Sequence, residues 1–204
     1  KGAGVDAAVF NTLTVGENAK LQFADGDNLP VFQALSVGGK LTYKGGKGAD
    51  LPVFNPATIG GDVVLALGAG TNLPILTVVT VTGKLAYKGG TDVDIVLIGP
   101  GTVGGATKID LGDAASGTNQ LTVSPGTTVG PLAVKAKKAP DIVTIGGQVN
   151  GSATLALGDG TNNVTLDGAT VTGDLVVKTG ADDDVVTLQN GTVVQGARTF
   201  SLGD

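Results

Sequence analysis

The sequence predicts an all-β fold: a right-handed parallel β-helix, or β-solenoid, of about nine coils of about 22 residues, with three short strands in each coil. Three observations predict it. Apolar residues recur at a constant spacing of 22, apolar and polar residues alternate within each unit, and glycine-rich turns interrupt each segment before a helix can form. Each coil buries its apolar residues only against its neighbours, so residues 1–204 are expected to form a single domain.

The repeat is clearest in three apolar columns, whose members would lie about 4.8 Å apart in a stack of coils. The central column consists of Val15, Val37, Ile59, Val81 and Val103. Six residues after these lie Leu21, Tyr43, Leu65, Tyr87 and Ile109. Six residues before them lie Val9, Val31, Val53, Ile75 and Leu97. We predict that all three columns point into the core.

Extra residues at 113–117 lengthen one coil. Because insertions in repeat proteins map to loops, we expect this segment to bulge from the rod without breaking the stack. The central column is expected to resume at Thr128, Val149, Val171 and Val194. Its partners six residues later would be Val134, Leu155, Val177 and Phe200. The phenylalanines Phe10, Phe32 and Phe54 also recur every 22 residues and are expected to stack near a corner.

Successive units alternate, which gives a longer repeat of about 44 residues. Residues 37–44 (VGGKLTYK) match residues 81–88 (VTGKLAYK). The units between them enter turns such as residues 68–72 (GAGTN) and 158–162 (GDGTN). Duplication of a two-coil cassette explains the pattern. The right-handed winding is expected from the general rule for parallel strand connections.

Composition excludes several classes of function. The chain has a net charge of −5 and contains no cysteine and no histidine, which removes disulfides, thiolate nucleophiles, imidazole bases and cysteine or histidine metal sites. A negative net charge with a single arginine argues against nucleic-acid binding. The longest apolar stretches, such as residues 73–79, are too short to cross a membrane. No methionine occurs, so the chain is expected to be a processed product or an excerpt of a longer one.

Enzymes built on β-helices place paired carboxylates or a basic residue in a groove lined with aromatic side chains. Here the acidic residues fall at turns, the two tyrosines occupy core columns, and Arg198 stands alone. We therefore expect no catalytic residues and no enzyme activity.

The candidate binding residues form a column of hydroxyl side chains just before the central apolar column. Its predicted members are Thr14, Ser36, Thr58, Thr80, Thr102, Thr127, Thr170 and Thr192. A flat threonine array fits ordered, ice-like water or another repeating surface, including a glycan. The alternative is that threonine is a good outward strand residue that pairs between coils. A second hydroxyl rank exists only at Thr82 and Thr172, which weakens the binding interpretation.

Charged residues also recur at a spacing of 22, as Lys40, Asp62 and Lys84. Lys88, Asp110 and Lys135 repeat the arrangement on the next part of the face, with the second step lengthened by the insertion. We predict that the first three lie side by side on one solvent face. Exposed pairs of this kind contribute only about 0.2 to 1 kcal/mol each, but they disfavour register slips that bring like charges together.

Residues 45–50 (GGKGAD) resemble the start of a calcium-binding GGxGxDxUx nonapeptide, and residues 89–94 are a looser match. Calcium needs six or more oxygen ligands, whereas this motif returns only every 44 residues. A structural glycine turn is the preferred interpretation, so no cofactor or metal site is expected, with calcium as the alternative. The acidic run 182–184 is a further place for a cation, and Asn150, Asn163 and Asn190 lie in glycosylation sequons.

Residues 163–193 (NVTLDGATVTGDLVVKTGADDDVVTLQNGTV) resemble the repeats of large secreted bacterial surface and fibre proteins, especially the β-helical surface proteins of planctomycetes. The resemblance covers essentially the whole chain. It implies an extracellular or cell-surface location and a structural role in a fibre, sheath or surface layer. A surface-, glycan- or ice-binding adhesin module that uses the hydroxyl column is the alternative.

Neither end of the sequence supplies a capping element, although solenoids normally need one to cover open strand edges. Residues 1–11 match residues 45–55, and residues 200–204 resemble residues 155–159. We therefore expect coils to continue across a head-to-tail contact between copies, which would give an open filament.

Overall fold

The structure, a computed structural model, describes residues 4–203, so the ends 1–3 and 204 lie outside the description. The described chain contains 27 β-strands and no helix. Each group of three consecutive strands makes one coil, and the nine coils stack into three parallel nine-stranded sheets. The predicted β-solenoid of nine coils, with three short strands in each, is confirmed.

The first strands of the coils form sheet 1. They are β1 (Gly4–Asn11), β4 (Gly26–Gln33), β7 (Val53–Phe54), β10 (Ile75–Leu76), β13 (Ile95–Ile98), β16 (Asn119–Val123), β19 (Asp141–Ile145), β22 (Asn163–Asp167) and β25 (Val185–Gln189). The second strands form sheet 2. They are β2 (Thr14–Val15), β5 (Leu35–Val37), β8 (Ala57–Ile59), β11 (Val79–Val81), β14 (Gly101–Val103), β17 (Thr127–Val129), β20 (Gln148–Val149), β23 (Thr170–Val171) and β26 (Val193–Val194).

The third strands form sheet 3. They are β3 (Ala19–Gln22), β6 (Leu41–Lys44), β9 (Val63–Ala66), β12 (Leu85–Lys88), β15 (Thr107–Asp110), β18 (Leu132–Lys135), β21 (Ala153–Gly158), β24 (Leu175–Thr179) and β27 (Arg198–Ser201). Every strand pairs with the equivalent strand of the next coil, so almost all backbone hydrogen bonds run along the rod. The coils are numbered 1 to 9 in chain order.

Two of the three apolar columns lie where the sequence places them. Val81 pairs with Ile59 and Val103, and Tyr87 pairs with Leu65 and Ile109, and all six side chains are buried. The core runs through the whole rod because each coil repeats the same inward positions. The rings of Phe10, Phe32 and Phe54 stack with centroids 4.9 Å apart, as expected from their spacing.

The third apolar column was predicted wrongly. Val9 is 64% exposed, and Val31, Val53, Ile75 and Leu97 lie half-buried on the outer face of sheet 1. The residue after each one points inward instead, as Phe32 and Phe54 show. When two adjacent residues are both apolar, period-2 alternation does not decide which of them faces the core. Where the two differ in size, as in the Val–Phe pairs, the larger side chain takes the inward position.

The insertion at 113–117 lies in a loop between β15 and β16, with residues 115–117 exposed, and sheet 1 continues across it from β13 to β16. The register after it differs from the prediction by one residue. Val129, not Thr128, is paired with Val103 and then with Val149. The coil before this point is longer and the coil after it is shorter than 22 residues, so a fixed step misplaces this one member.

Candidate functional site: surface columns and a buried aspartate–asparagine ladder

The hydroxyl column lies on the outer face of sheet 2. Register pairs Thr14 with Ser36, Ser36 with Thr58, Thr58 with Thr80, and Thr80 with Thr102. The four threonines are exposed and Ser36 is half-buried. Five successive coils therefore present one hydroxyl each in a single row.

Beyond coil 5 the row is less regular than predicted. Its members are Thr128, Gln148, Thr170 and Val193. Thr127 is instead buried, with its hydroxyl 2.7 Å from the carbonyl oxygen of Gly99. Thr192 lies in the preceding turn, where its hydroxyl donates to the carbonyl oxygen of Gln189. One extra residue in the turn of coil 9 moves Thr192 out of the row, so the row lacks hydroxyls at two positions.

The charged column at the corner between sheets 2 and 3 is adjacent in register, as predicted. The backbone N–H of Leu41 donates to the carbonyl of Asp62, and that of Val63 donates to the carbonyl of Lys84. The Asp62 carboxylate accepts a hydrogen bond from the backbone N–H of Lys84 at 2.8 Å, and Asn18 Oδ1 accepts one from the backbone N–H of Lys40. The side chain of Asp62 thus also links two coils by a hydrogen bond, which the alternating charge pattern does not reveal.

The corner between sheets 3 and 1 contains a buried polar column that sequence reasoning missed. We call it the Asp/Asn ladder. It consists of Asp6, Asn28, Asp50, Asn72, Asp94, Asn119, Asp141, Asn162 and Asp184. The two residue types alternate in all nine coils, and the members from Asn28 to Asn162 are at most 1% exposed.

Hydrogen bonds explain the alternation. The Asn72 amide donates to Asp94 Oδ1 at 2.9 Å, and the Asn119 amide donates to Asp141 Oδ1 at 3.0 Å. In the other direction, the backbone N–H of Asp94 donates to Asn119 Oδ1 at 3.0 Å. Asparagine has a donor for one neighbour and an acceptor for the other, whereas a column of aspartates alone would place like charges about 4.8 Å apart.

Three carboxylates in the ladder, those of Asp50, Asp94 and Asp141, are desolvated. Burial raises the pKa of Asp50, Asp94 and Asp141 to about 6, against hydrogen bonds from the neighbouring asparagines that favour the ionised form. Asp94 receives more hydrogen bonds than the other two. The Tyr87 hydroxyl donates to its Oδ1 at 2.6 Å and the Gly90 N–H donates to its Oδ2 at 3.3 Å.

Residue size alternates together with the ladder. Five residues before the aspartates of coils 3, 5, 7 and 9 stand the small residues Gly45, Gly89, Ala136 and Thr179. At the corresponding position of the coils that precede each ladder asparagine stand large apolar residues: Phe23, Leu67, Leu111 and Leu157. A Cβ at Gly45 or Gly89 would lie 1.7 Å from the Oδ2 atom of Asp50 or Asp94, so these two carboxylates occupy the space that a side chain there would need. The 44-residue repeat is the period of this corner.

The turns that resemble calcium nonapeptides are parts of the ladder. Asp50 Oδ1 accepts the Asn28 amide at 2.6 Å, while Asp182 and Asp184 accept backbone N–H groups of residues 160 and 162. In residues 4–203 no group of three or more acidic side chains is arranged to hold a metal ion. Calcium binding stays an untested alternative.

The sequence does contain a signal for the ladder. Asp and Asn alternate at a step of about 22 residues, and most of these positions lie just after glycine-rich turns.

The part of the chain that the structure describes contains no helix of the length and apolarity needed to cross a bilayer. The candidate surfaces described above are the hydroxyl column on sheet 2 and the charged column at the corner between sheets 2 and 3. Comparison with models of known protein families, with curated protein sequences and with solved structures finds no match.

Proposed function

We propose that this protein is a structural subunit or segment of an extracellular fibre, sheath or surface layer, and that it assembles by end-to-end stacking of coils. The observation that carries the proposal is the exposure of core residues in the two end coils of the described rod. Four residues of core columns are only half-buried there, because each has a neighbouring coil on one side only: Val15 and Leu21 of coil 1, and Val186 and Leu188 of coil 9. A further coil would cover them.

Three apolar columns of the two end coils match when the coils are aligned by register, whereas Arg198 would meet Ala19 and Asp184 would meet Asp6. Leu188 of coil 9 would meet Phe10 of a second copy, Val194 would meet Val15, and Phe200 would meet Leu21. Each strand edge would also gain a parallel partner, which is the contact already repeated between coils along the rod. Such a contact is heterologous and does not close, so it propagates into a filament. The matches at residues 1–3 and 204 lie outside the described residues.

Light scattering and electron microscopy of the purified 204-residue chain over a concentration series test the proposal. We expect rods longer than a single chain. Phe200→Lys places a charge on the end of the core column and is expected to abolish them, whereas Val193→Lys in the same coil faces sideways and is expected to preserve them. Circular dichroism checks that both variants fold. A chain that stays monomeric at high concentration contradicts end-to-end assembly.

A second candidate function is a surface-, glycan- or ice-binding module based on the exposed row from Thr14 to Thr102. It is favoured by five hydroxyls that recur one strand spacing apart on a flat sheet. A thermal hysteresis assay tests ice binding, and a glycan array tests the adhesin. Thr58→Lys and Thr80→Lys should abolish either activity, whereas Thr165→Lys on the outer face of sheet 1 should not.

A further inference from the structure

The charge of the rod is distributed very unevenly among its three sheets. Among the described strands, sheet 3 contains seven basic residues and a single acidic one, Asp110. The basic residues are Lys20, Lys44, Lys88, Lys108, Lys135, Lys178 and Arg198, and all are exposed. The strands of sheet 1 contain acidic residues and no basic ones, and the described strands of sheet 2 contain no charged residue. A protein of net charge −5 therefore presents one cationic face.

Four of these lysines form one straight column, which we call the lysine column: Lys44, Lys88, Lys135 and Lys178. Between them in register lie Ala66, Asp110 and Ala156. The lysines thus occur in every second coil, at intervals of about 9.6 Å, twice the strand spacing. Asp110 is half-buried, and its Oδ1 accepts a hydrogen bond from the backbone N–H of Gly112. This hydrogen bond partly compensates the negative charge of its carboxylate.

The surface beside the column is recessed. A depression of about 290 Å³ lies between Lys44 and Lys88, with a floor of Gly45, Ala66, Gly68 and Gly89. A second depression, of about 320 Å³, is lined by Tyr87, Lys108, Ile109, Asp110, Ala133 and Lys135, so it contains one carboxylate beside two ammonium groups. In the first depression, small residues leave room for a ligand between the ammonium groups of Lys44 and Lys88, which lie on successive even-numbered coils.

We propose that the outer face of sheet 3 binds an extended acidic polysaccharide of the uronic acid type, which lies along the rod axis with its carboxylates on the lysine column. The interval of two coils is close to the length of one disaccharide unit, so each lysine meets a carboxylate of the next unit. This inference does not depend on end-to-end assembly, since one rod already carries four sites. It also uses a different sheet from the hydroxyl column.

The same surface fits two other polyanions less well. Single-stranded nucleic acid is bound by aromatic stacking platforms and arginine, but the outward strand residues of this face include no aromatic side chain and no arginine, since Arg198 is in register with the inward Leu175. Peripheral binding to an anionic membrane uses exposed large apolar or aromatic anchors beside the basic residues. The outward valines of sheet 3, such as Val64 and Val176, are half-buried between neighbouring coils.

The test measures binding of the 204-residue chain to polygalacturonate by fluorescence anisotropy or calorimetry at several salt concentrations. We expect binding that weakens as salt increases, because lysines displace counterions from the polymer. Replacing the column in Lys44→Gln/Lys88→Gln/Lys135→Gln/Lys178→Gln should reduce the affinity at least about tenfold at low salt, through loss of four exposed charge contacts. The matched control, Lys40→Gln/Lys47→Gln/Lys137→Gln/Lys138→Gln, changes the net charge equally at exposed positions outside the strands of sheet 3. It should retain most of the affinity.

Three results overturn the proposal: no binding of polygalacturonate at low salt, equal loss in the column variant and the control, or equal binding of neutral dextran. Poly(dT) and vesicles of anionic phospholipid are the comparison ligands. If either binds more tightly than polygalacturonate and loses more affinity in the column variant, the face recognises that class of partner and the polysaccharide assignment is wrong. The monomer–polymer state is recorded in the same samples, so failure of binding and failure of filament assembly are distinguishable.

Discussion

The Tyr87 hydroxyl donates a 2.6 Å hydrogen bond to the buried carboxylate of Asp94, seven residues later at the same corner of the rod. Two coils away, the Tyr43 hydroxyl is buried at the equivalent position without a hydrogen-bond partner. The two cassettes have almost the same local sequence, yet only one tyrosine completes the contact. This difference gives a matched pair of substitutions within one molecule.

Tyr87→Phe is expected to lower the free energy of unfolding by about 1.5 to 3 kcal/mol, because a buried carboxylate loses a donor. Tyr43→Phe is expected to be neutral or slightly stabilising, since it removes an unsatisfied buried hydroxyl. Chemical denaturation followed by circular dichroism measures both variants. Equal destabilisation would mean that the hydroxyl of Tyr43 also has a partner in solution.

Stability is expected to rise as pH falls from about 8 to about 5. Burial raises the pKa of Asp50, Asp94 and Asp141 to about 6 in the folded state, above the ordinary value of 3.8. The folded state therefore binds more protons than the unfolded state between these values, and the cost of the buried charges, present at neutral pH, is relieved on protonation. Denaturation midpoints across this pH range measure the effect.

The matched variant for this pH dependence is Asp50→Asn, whose amide keeps an acceptor for Asn28 without the charge. It should be more stable than the original chain at pH 8 and should not differ from it near pH 4. The same substitution at exposed Asp183 should change neither value. A stability that falls steadily from pH 8 to pH 5 in the original chain would show that these carboxylates are not desolvated.

Asn119→Leu is expected to cost about 3 to 5 kcal/mol of stability, because it breaks a buried polar network and leaves the Asp141 carboxylate without its amide donor. The Asp94 backbone N–H loses its acceptor in the same variant. Asn163→Leu makes the same change on the exposed face of sheet 1 and should cost less than about 1 kcal/mol. Thermal unfolding compares the pair, and similar melting temperatures would contradict a structural role for the ladder.

Gly89→Ala is expected to destabilise the rod by about 1 to 3 kcal/mol or more, because the added methyl group overlaps the Asp94 carboxylate and its surroundings must move. Gly16→Ala is the control, since a Cβ there meets no atom within 4 Å. Both variants are compared by chemical denaturation. A neutral Gly89→Ala would mean that the carboxylate lies elsewhere in solution.

End-to-end assembly should be stronger in acid. Stacking coil 1 of one copy on coil 9 of another places Asp6 next to Asp184, which interrupts the alternation and brings two carboxylates together. Asp6→Asn removes the contact between two carboxylates, although it places two asparagines side by side in coils 1 and 2, and it should promote filament growth at pH 7. Asp183→Asn, with the same change in charge near the same end, should not. Sedimentation of assembled material quantifies both, and assembly that is insensitive to pH and to Asp6→Asn would contradict this register.

The sequence by itself determined the architecture of this protein. A constant step of 22 residues requires equivalent side chains to lie one strand spacing apart, and this fixes stacked coils, the central column at Val81 and the neighbouring column at Tyr87. Period-2 alternation also identified the outward hydroxyls at Thr58 and Thr80. These predictions succeeded because they depend only on local spacing, which each coil repeats.

Only the tertiary structure decided which member of an apolar pair faces the core, as at Val53 and Phe54, because both satisfy the hydrophobic pattern. It also decided the register after the insertion, where a fixed step misplaced Thr128. Above all it placed Asp94 and Asn119 together in the interior, although they are 25 residues apart and polar. Sequence patterns assign such residues to exposed turns, and it is the hydrogen bonds supplied by neighbouring coils that allow them to be buried.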